Sequence, residues 1–338
     1  MRVEAVRSPS SPAGLAVTVL LDLLLVAFVL NLALQPLVEP DLGWHLRAGL
    51  DLIAQGWRVP HTDPYSHTMP DWHWVEHAWL TDGVLASIYQ AAGPFGGVGL
   101  IGFFGGVTAL AWWIAAALAP VHRTYRLSAI VASLWVALPF LGARTQLISL
   151  LGVAVVLTIW NRLQHGQWQW LWALPPLFFL WANLHGGFTA GLFVLTLLLS
   201  LSCLMTLCVQ WQICQAPRDE AVLSWDDLQR WTLAVLVSLA VTLLNPYGWR
   251  LYGEIYESLT DRFMIDTLRE WQPVSFQGWA GRAYGLYLLG LTGMMAGWYR
   301  RTEPVRWAVL LVMLGLSLLH WRNVTLFLIV SLPLAAEL

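Results

Sequence analysis

Lysine is absent from this chain of 338 residues, and all 18 of its basic residues are arginine. That absence excludes mechanisms that need a lysine side chain, namely a phosphate-binding P-loop, a Schiff base or a serine–lysine dyad. Charge of either sign is scarce as well, since charged residues make up 11% of the chain and the formal net charge is -2. Without a basic patch, the chain offers no electrostatic surface for nucleic acid.

Cysteine is also rare, with Cys203, Cys208 and Cys214 in or just after one apolar segment. Their number is odd and no CxxC pair occurs, so they indicate neither a disulfide framework nor a cysteine zinc site. The nine histidines include no HxxxH pair within one predicted helix, which argues against a zinc site of that type. We interpret the three cysteines as small apolar packing residues.

Hydrophobic residues, by contrast, make up 58% of the chain, and apolar runs recur along almost its whole length. This pattern predicts an all-α polytopic integral membrane protein, a single membrane domain over residues 1–338 with about ten transmembrane helices. The first apolar stretch is too long for the core of a cleaved signal peptide, so we expect an uncleaved signal anchor. The stretches of spanning length are 15–38, 97–119, 127–143, 146–161, 169–184, 187–210, 231–245, 283–298, 306–319 and 323–338.

The arginines determine the predicted orientation, because cytoplasmic loops of membrane proteins carry an excess of basic residues. If residues 77–92 do not span, ten arginines lie in cytoplasmic segments, and only Arg144 and Arg322 lie in short outer loops. If that segment spanned, eight of the ten would face outward. We therefore predict a cytoplasmic N-terminus, a surface helix at 77–92, and long outer loops at 39–96 and 245–282.

The first outer loop contains a predicted surface helix, DLGWHLRAGLDLIAQG, which begins at Asp41 and ends at Gly56. Its apolar residues recur at helical spacing and are Leu42, Leu46, Leu50 and Ile53. Asp41 stands at the N-terminal end, where free backbone N–H groups stabilise a carboxylate. It is either a plain helix cap or a functional carboxylate. His45, one turn later, lies on a different face from the leucines.

The predicted orientation collects polar side chains on the outer side of the membrane, including seven of the nine histidines. Ionisable side chains near a membrane face are candidates for a functional role. For Arg144 and Arg322, contact with lipid headgroups is an equal alternative. The candidates are Asp41, His45, Glu76, His77, Arg144, His185, Glu270 and Arg322.

This organisation resembles the GT-C glycosyltransferases, a membrane-embedded superfamily that includes oligosaccharyltransferase catalytic subunits, protein O-mannosyltransferases and lipid A aminoarabinose transferases. Over residues 15–210 the shared features are a first span, an early carboxylate at Asp41, two surface helices and an outer arginine in GARTQ. The pieces DLGWHL, WANLHGG, NPYGW and REW together resemble bacterial GT-C-like proteins of unassigned substrate. The chain departs from the family at Gln146, where a second acidic residue is expected.

The resemblance implies transfer of a sugar from a polyprenyl-phosphate donor to an acceptor, on the extracytoplasmic side of a bacterial inner membrane. On this expectation Asp41 is the general base, and Glu76 is a second catalytic carboxylate or a metal-associated residue. Arg144 and Arg322 would bind the donor phosphate. The substrate pocket would be lined by His45, His77, His185 and Glu270. A divalent cation, Mg²⁺ or Mn²⁺, is compatible with such a site, and membrane lipid surrounds it.

Two other functions remain open from the sequence. A transporter or flippase for a lipid-linked substrate would need charges at mid-membrane depth and repeated broken helices. The chain offers Asp22 within the first predicted span but no clear inverted repeat. A non-catalytic subunit is the other alternative, with tryptophan-rich spans that bind a protein partner.

Cysteine labelling at positions 94 and 124 tests the predicted orientation. A membrane-impermeant thiol reagent added to intact cells should modify Pro94→Cys and leave Thr124→Cys unmodified, because only position 94 lies in an outer loop. A modified cysteine at position 124 would reverse the topology and place Arg144 on the opposite side of the membrane from Asp41.

Overall fold

The computed structural model describes residues 15–17, 19–24, 39–69, 72–217, 221–298 and 304–337, and this part of the chain is all-helical. Residues 15–17 and 19–24 are helical. The complete helices are α1 Leu42–Ala54, α2 Trp79–Ala92, α3 Gly96–Ala117, α4 Arg123–Ala137, α5 Gln146–Gln164, α6 Leu174–Leu184, α7 Phe188–Gln210, α8 Trp225–Val241, α9 Arg250–Thr260, α10 Arg262–Thr267, α11 Trp279–Trp298, α12 Pro304–Leu319 and α13 Val324–Glu337. Short 3₁₀ segments occur at Gly93–Phe95, Leu138–Phe140, Trp168–Ala173, Arg269–Trp271 and Trp321–Asn323.

Three helical stretches within these ranges are long and apolar enough to cross a membrane, namely Trp79–Ala117, Gln146–Gln164 and Phe188–Gln210. The all-helical class is confirmed, and apolar helices of this length are what a membrane protein requires. The count of about ten spans stays a prediction, because other apolar helices, such as Pro304–Leu319, are shorter. Residues 25–38 of the first predicted span lie outside the described residues.

The first of these stretches is two helices, because the chain bends between α2 and α3. Gly93 has a φ of +53°, in the left-handed region that favours glycine, and a 3₁₀ turn begins there. A Cβ atom on Gly96 would lie 2.5 Å from the Tyr89 ring, so the start of α3 lies directly against the end of α2. α2 is therefore an element separate from α3, and its position at a membrane surface stays a prediction.

The centre of the bundle is formed by α5 and α13, whose side chains are buried on most sides of each helix. A helix that is apolar all round is stable only when other helices or lipid surround it. Trp112, Trp181 and Trp231 are among the largest fully buried side chains. The Trp181 ring fills the space beside Gly152 and Gly191, where a Cβ atom would come within 2.6 and 2.3 Å of it. These two glycines let α6 approach α5 and α7 closely.

The outward faces of the long helices carry large exposed apolar side chains. Examples are Trp113 on α3, Leu204 on α7 and Leu289 on α11, with exposed fractions of 47%, 56% and 72%. Water would drive such surfaces to associate, whereas the hydrocarbon of a bilayer solvates them.

Asp22, to which the sequence assigned no definite role, forms an ion pair with Arg123 at 2.9 Å. Arg123 is the first residue of α4.

α1 packs on α2 so closely that its buried face differs from the predicted one. The predicted apolar face consists of Leu42, Leu46, Leu50 and Ile53. The buried residues are instead Leu42, His45, Gly49 and Leu52. A Cβ atom on Gly49 would lie 2.0 Å from the backbone oxygen of Asp82 in α2. Because glycine permits this approach, α2 covers the side of α1 that holds His45.

Gly49→Ala should destabilise the protein by about 1–3 kcal/mol, because the added methyl group collides with backbone atoms that cannot move aside. Gly43→Ala is the matched control on the same helix, since nothing lies within 4 Å of its Cβ position. That control should be neutral or stabilising by up to about 1 kcal/mol. Thermal unfolding in one detergent measures both variants, and an unchanged melting temperature for Gly49→Ala would contradict this packing.

Candidate functional site at the α1–α2 end of the bundle

The structure brings the side chains singled out in the sequence to one end of the bundle. They come from α1, the segment before α2, the loop before α5, the α6–α7 junction and the 3₁₀ turns at Arg269–Trp271 and Trp321–Asn323. The residues are Asp41, His45, Glu76, His77, Arg144, His185, Glu270 and Arg322. Their catalytic and binding roles stay predictions, but their proximity defines where a function can be sought.

Two arginines from distant segments converge on one carboxylate. Arg144 Nη1 and Arg322 Nη1 lie 3.9 Å from different oxygens of Glu270. Arg144 also donates from Nε to Glu39 Oε2 at 2.6 Å, and the Arg322 guanidinium lies 4.3 Å from the centre of the Trp271 ring. Both 3.9 Å separations exceed hydrogen-bond length, so Glu270 is attracted by the two guanidinium groups without being bonded to either. No pattern in the sequence pointed to Glu39.

Two neighbouring histidines are held in the neutral form. The rings of His77 and His185 lie 5.6 Å apart. His185 Nδ1 accepts a hydrogen bond from Gly187 N–H at 3.0 Å, so this nitrogen carries no proton. Ser149 Oγ, 2.8 Å from the same nitrogen, is therefore a second donor to it. Burial is the main cause that lowers the pKa of His77 to about 4 and the pKa of His185 well below its usual range. At pH 7 both side chains are therefore uncharged hydrogen-bonding groups.

A buried cluster of three ionisable side chains lies where α1 packs on the start of α2. His45 Nδ1 lies 2.7 Å from Asp82 Oδ1, and Glu76 Oε1 accepts a hydrogen bond from Ala78 N–H at 3.1 Å. The remaining oxygens, Glu76 Oε2 and Asp82 Oδ2, have no hydrogen-bond partner within the part of the chain that the structure describes. His45, Glu76 and Asp82 offer donor atoms that lie within 4.8 Å of one another, which is a spacing that can hold a metal ion.

Burial changes the protonation of this group. It raises the pKa of Glu76 to about 8, with the nearby Asp82 carboxylate adding to the shift, and it lowers the pKa of His45. Without a cation beside it, the Glu76 side chain is therefore mostly in its neutral, protonated form at pH 7. An exposed glutamate would be ionised at the same pH. Asp82 was missed as a site residue. An acidic residue within an otherwise apolar helix was the signal that could have identified it.

Asp41 occupies the N-cap position of α1 without acting as a cap. Its backbone is helical, with φ -84° and ψ -21°, and its side chain makes no capping hydrogen bond. A capping side chain needs an extended backbone at this position, so the plain-cap interpretation is wrong. The Asp41 side chain is exposed, and it stands two residues from Glu39, the partner of Arg144. Its carboxylate is accessible to an incoming substrate.

Comparison of the chain with protein-family models, with curated proteins and with solved structures gives no match. The resemblance to GT-C glycosyltransferases accordingly stays a prediction from the residues of the chain itself.

Asn183 joins three segments beside this polar end. Its Oδ1 accepts a hydrogen bond from Trp79 Nε1 at 3.1 Å, and its Nδ2 donates to the carbonyl oxygens of Phe179 and Leu244 at 2.8 and 3.1 Å. These bonds hold the first turn of α2 against the end of α6 and the segment after α8. They position the α2 side chains relative to the α6–α7 junction.

Asn183→Leu should destabilise the protein by about 1–3 kcal/mol, because the partly buried Trp79 N–H and Leu244 carbonyl lose their partner. Asn161→Leu, near the end of α5 and outside this set of bonds, is the control for the polarity change itself. Thermal unfolding compares the two variants. A loss for Asn183→Leu no larger than that for Asn161→Leu would show that the three bonds contribute little.

Proposed function

We propose that the chain is a GT-C-like membrane glycosyltransferase with about ten spans. It transfers a sugar from a polyprenyl-phosphate donor to an acceptor on the extracytoplasmic face of a bacterial inner membrane. The observation that carries the proposal is the convergence of Arg144 and Arg322 on Glu270, close to the chain segment that presents the exposed Asp41 carboxylate. A phosphate group and an acceptor hydroxyl are the two groups that such a pair of arginines and such a carboxylate recognise.

In the proposed reaction, Asp41 accepts the proton of an acceptor hydroxyl as that oxygen attacks the anomeric carbon of the donor sugar. The bond from that carbon to the phosphate oxygen breaks, and polyprenyl phosphate leaves with the bonding electron pair. Arg144 and Arg322 stabilise the charge that develops on the phosphate. Each guanidinium has five N–H donors, and the loose 3.9 Å approach to Glu270 leaves room for phosphate oxygens to take the closer position.

The surroundings of this end suit a donor that is anchored in lipid. Large aromatic side chains are exposed in the second predicted outer loop, at Trp249 just before α9, at Tyr256 on α9 and at Phe263 on α10. Short helices with such faces lie in the interface between headgroups and acyl chains, where aromatic side chains are enriched. A polyprenyl chain would remain in the bilayer while its phosphate reaches the arginines.

An in vitro transfer assay with purified protein and polyprenyl-phosphate sugars tests the proposal. We expect transfer by the wild type and a loss of about 10²–10⁴-fold in Asp41→Asn, because the amide cannot accept the proton. Glu76→Gln should also lower the rate. Asp226→Asn, an exposed carboxylate in the first turn of α8, is the matched control and should retain the wild-type rate.

Wild-type transfer that survives in Asp41→Asn would overturn the assignment of the base. Absence of transfer with every donor, from protein that is folded by its thermal unfolding curve, would favour the non-catalytic subunit. Movement of the lipid-linked donor across proteoliposomes without any transfer would favour the flippase.

A further inference from the structure

We propose that His45, Glu76 and Asp82 form a binding site for one divalent transition-metal ion, such as Zn²⁺, between α1 and the start of α2. The three side chains come from two helices and the loop that joins them, and their donor atoms lie within 4.8 Å of one another. The site does not include Asp41 and does not depend on glycosyl transfer. A metal held here would join α1 to α2.

Two unpartnered carboxylate oxygens point to a ligand that protein groups do not supply. The exposed fractions of Glu76 and Asp82 are 4% and 1%, and Glu76 Oε2 and Asp82 Oδ2 have no hydrogen-bond partner among the described residues. Buried carboxylate oxygens are almost always paired, because their separation from water is unfavourable without a partner. The His45–Asp82 contact at 2.7 Å satisfies Asp82 Oδ1. Asp82 Oδ2 and Glu76 Oε2 stay unpaired among the described residues. One cation between the two carboxylates would satisfy both.

The donor set favours zinc over magnesium. Imidazole is a good ligand for zinc, whereas Mg²⁺ requires an octahedron of oxygen atoms and keeps several waters. Four donors at about 2.1 Å in a tetrahedron lie about 3.4 Å apart, so the most widely separated of the three donor atoms would close by at most about 1.4 Å around the ion. Three protein ligands leave the fourth position for water or another ligand.

The surroundings provide hydrogen-bonding partners for two of the three side chains. Ala78 N–H orients Glu76 through Oε1, and Thr145 Oγ1 lies 3.5 Å from His45 Nε2, on the opposite side of the imidazole from Asp82. Partners of this kind orient metal ligands in proteins. Glu76 and Asp82 also line a pocket together with residues of α1 and Tyr247.

Metal binding by tag-free, full-length protein in detergent tests the proposal. The protein is stripped with a chelator, loaded with Zn²⁺, passed through a desalting column and analysed by mass spectrometry for metal. We expect one zinc per chain in the wild type, and at least about tenfold weaker binding in Glu76→Gln and Asp82→Asn. The controls are His67→Ala and Glu257→Gln, two exposed side chains of the same types, and they should bind zinc as the wild type does.

X-ray absorption of the zinc-loaded wild type gives a second readout that needs no variant to fold. We expect a shell of nitrogen and oxygen atoms at about 2.0–2.2 Å that includes one imidazole. No retained zinc, a shell with two or more imidazoles, or equal loss of zinc in His67→Ala would overturn the proposal. Excess Mg²⁺ that displaces the zinc would overturn the choice of a transition metal. Because transfer is not measured, these outcomes leave the proposed glycosyltransferase function untouched.

Discussion

The contact of α1 with α2 at Gly49 is the constraint on which the polar end of the molecule depends. It brings the α1 backbone against the carbonyl of Asp82, and one turn earlier it buries His45 against the Asp82 carboxylate. A larger residue at position 49 would separate the helices and admit water between them. The buried polar group thus exists because two backbones meet closely, and its unusual protonation follows from the exclusion of water there.

The rest of the chain provides an apolar frame around that end. Charged side chains are few, and several of those in the described part face an opposite charge, such as Arg144 with Glu39 and Glu270. In a bundle solvated by hydrocarbon an isolated charge is costly, so pairing is expected wherever ionisable groups are retained. The loose contact with Glu270 differs from the short one with Glu39. Arg144 therefore holds Glu39 tightly and Glu270 only loosely.

Much of this arrangement could be predicted from the sequence because it follows from local patterns. Helix α1 was predicted between Asp41 and Gly56 from apolar spacing and a terminal glycine, and the structure has it at Leu42–Ala54. Charge counting placed the eight candidate residues, among other polar residues, on one side of a membrane. The structure brings these eight to one end of the bundle, although the side itself stays a prediction. The failures concern contacts between helices. The buried face of α1 was assigned to its leucines, because the close approach of the α1 and α2 backbones at Gly49 has no local signal. Asp82 and Glu39 were not singled out, because their partners, His45 and Arg144, are distant in the sequence.

Local sequence patterns are enough to show that the chain is helical, apolar along most of its length and supplied with reactive side chains in the segments between its long apolar runs. Composition and short-range periodicity carry that information, since they set how each segment meets water or lipid. Which reactive side chains are buried together, and which stay exposed, depends on how the helices pack in three dimensions. Asp41 remains accessible, while His45, one turn away on the same helix, is closed in with Glu76 and Asp82. Burial and proximity depend on which helix covers which face, and no local pattern in the chain specifies that.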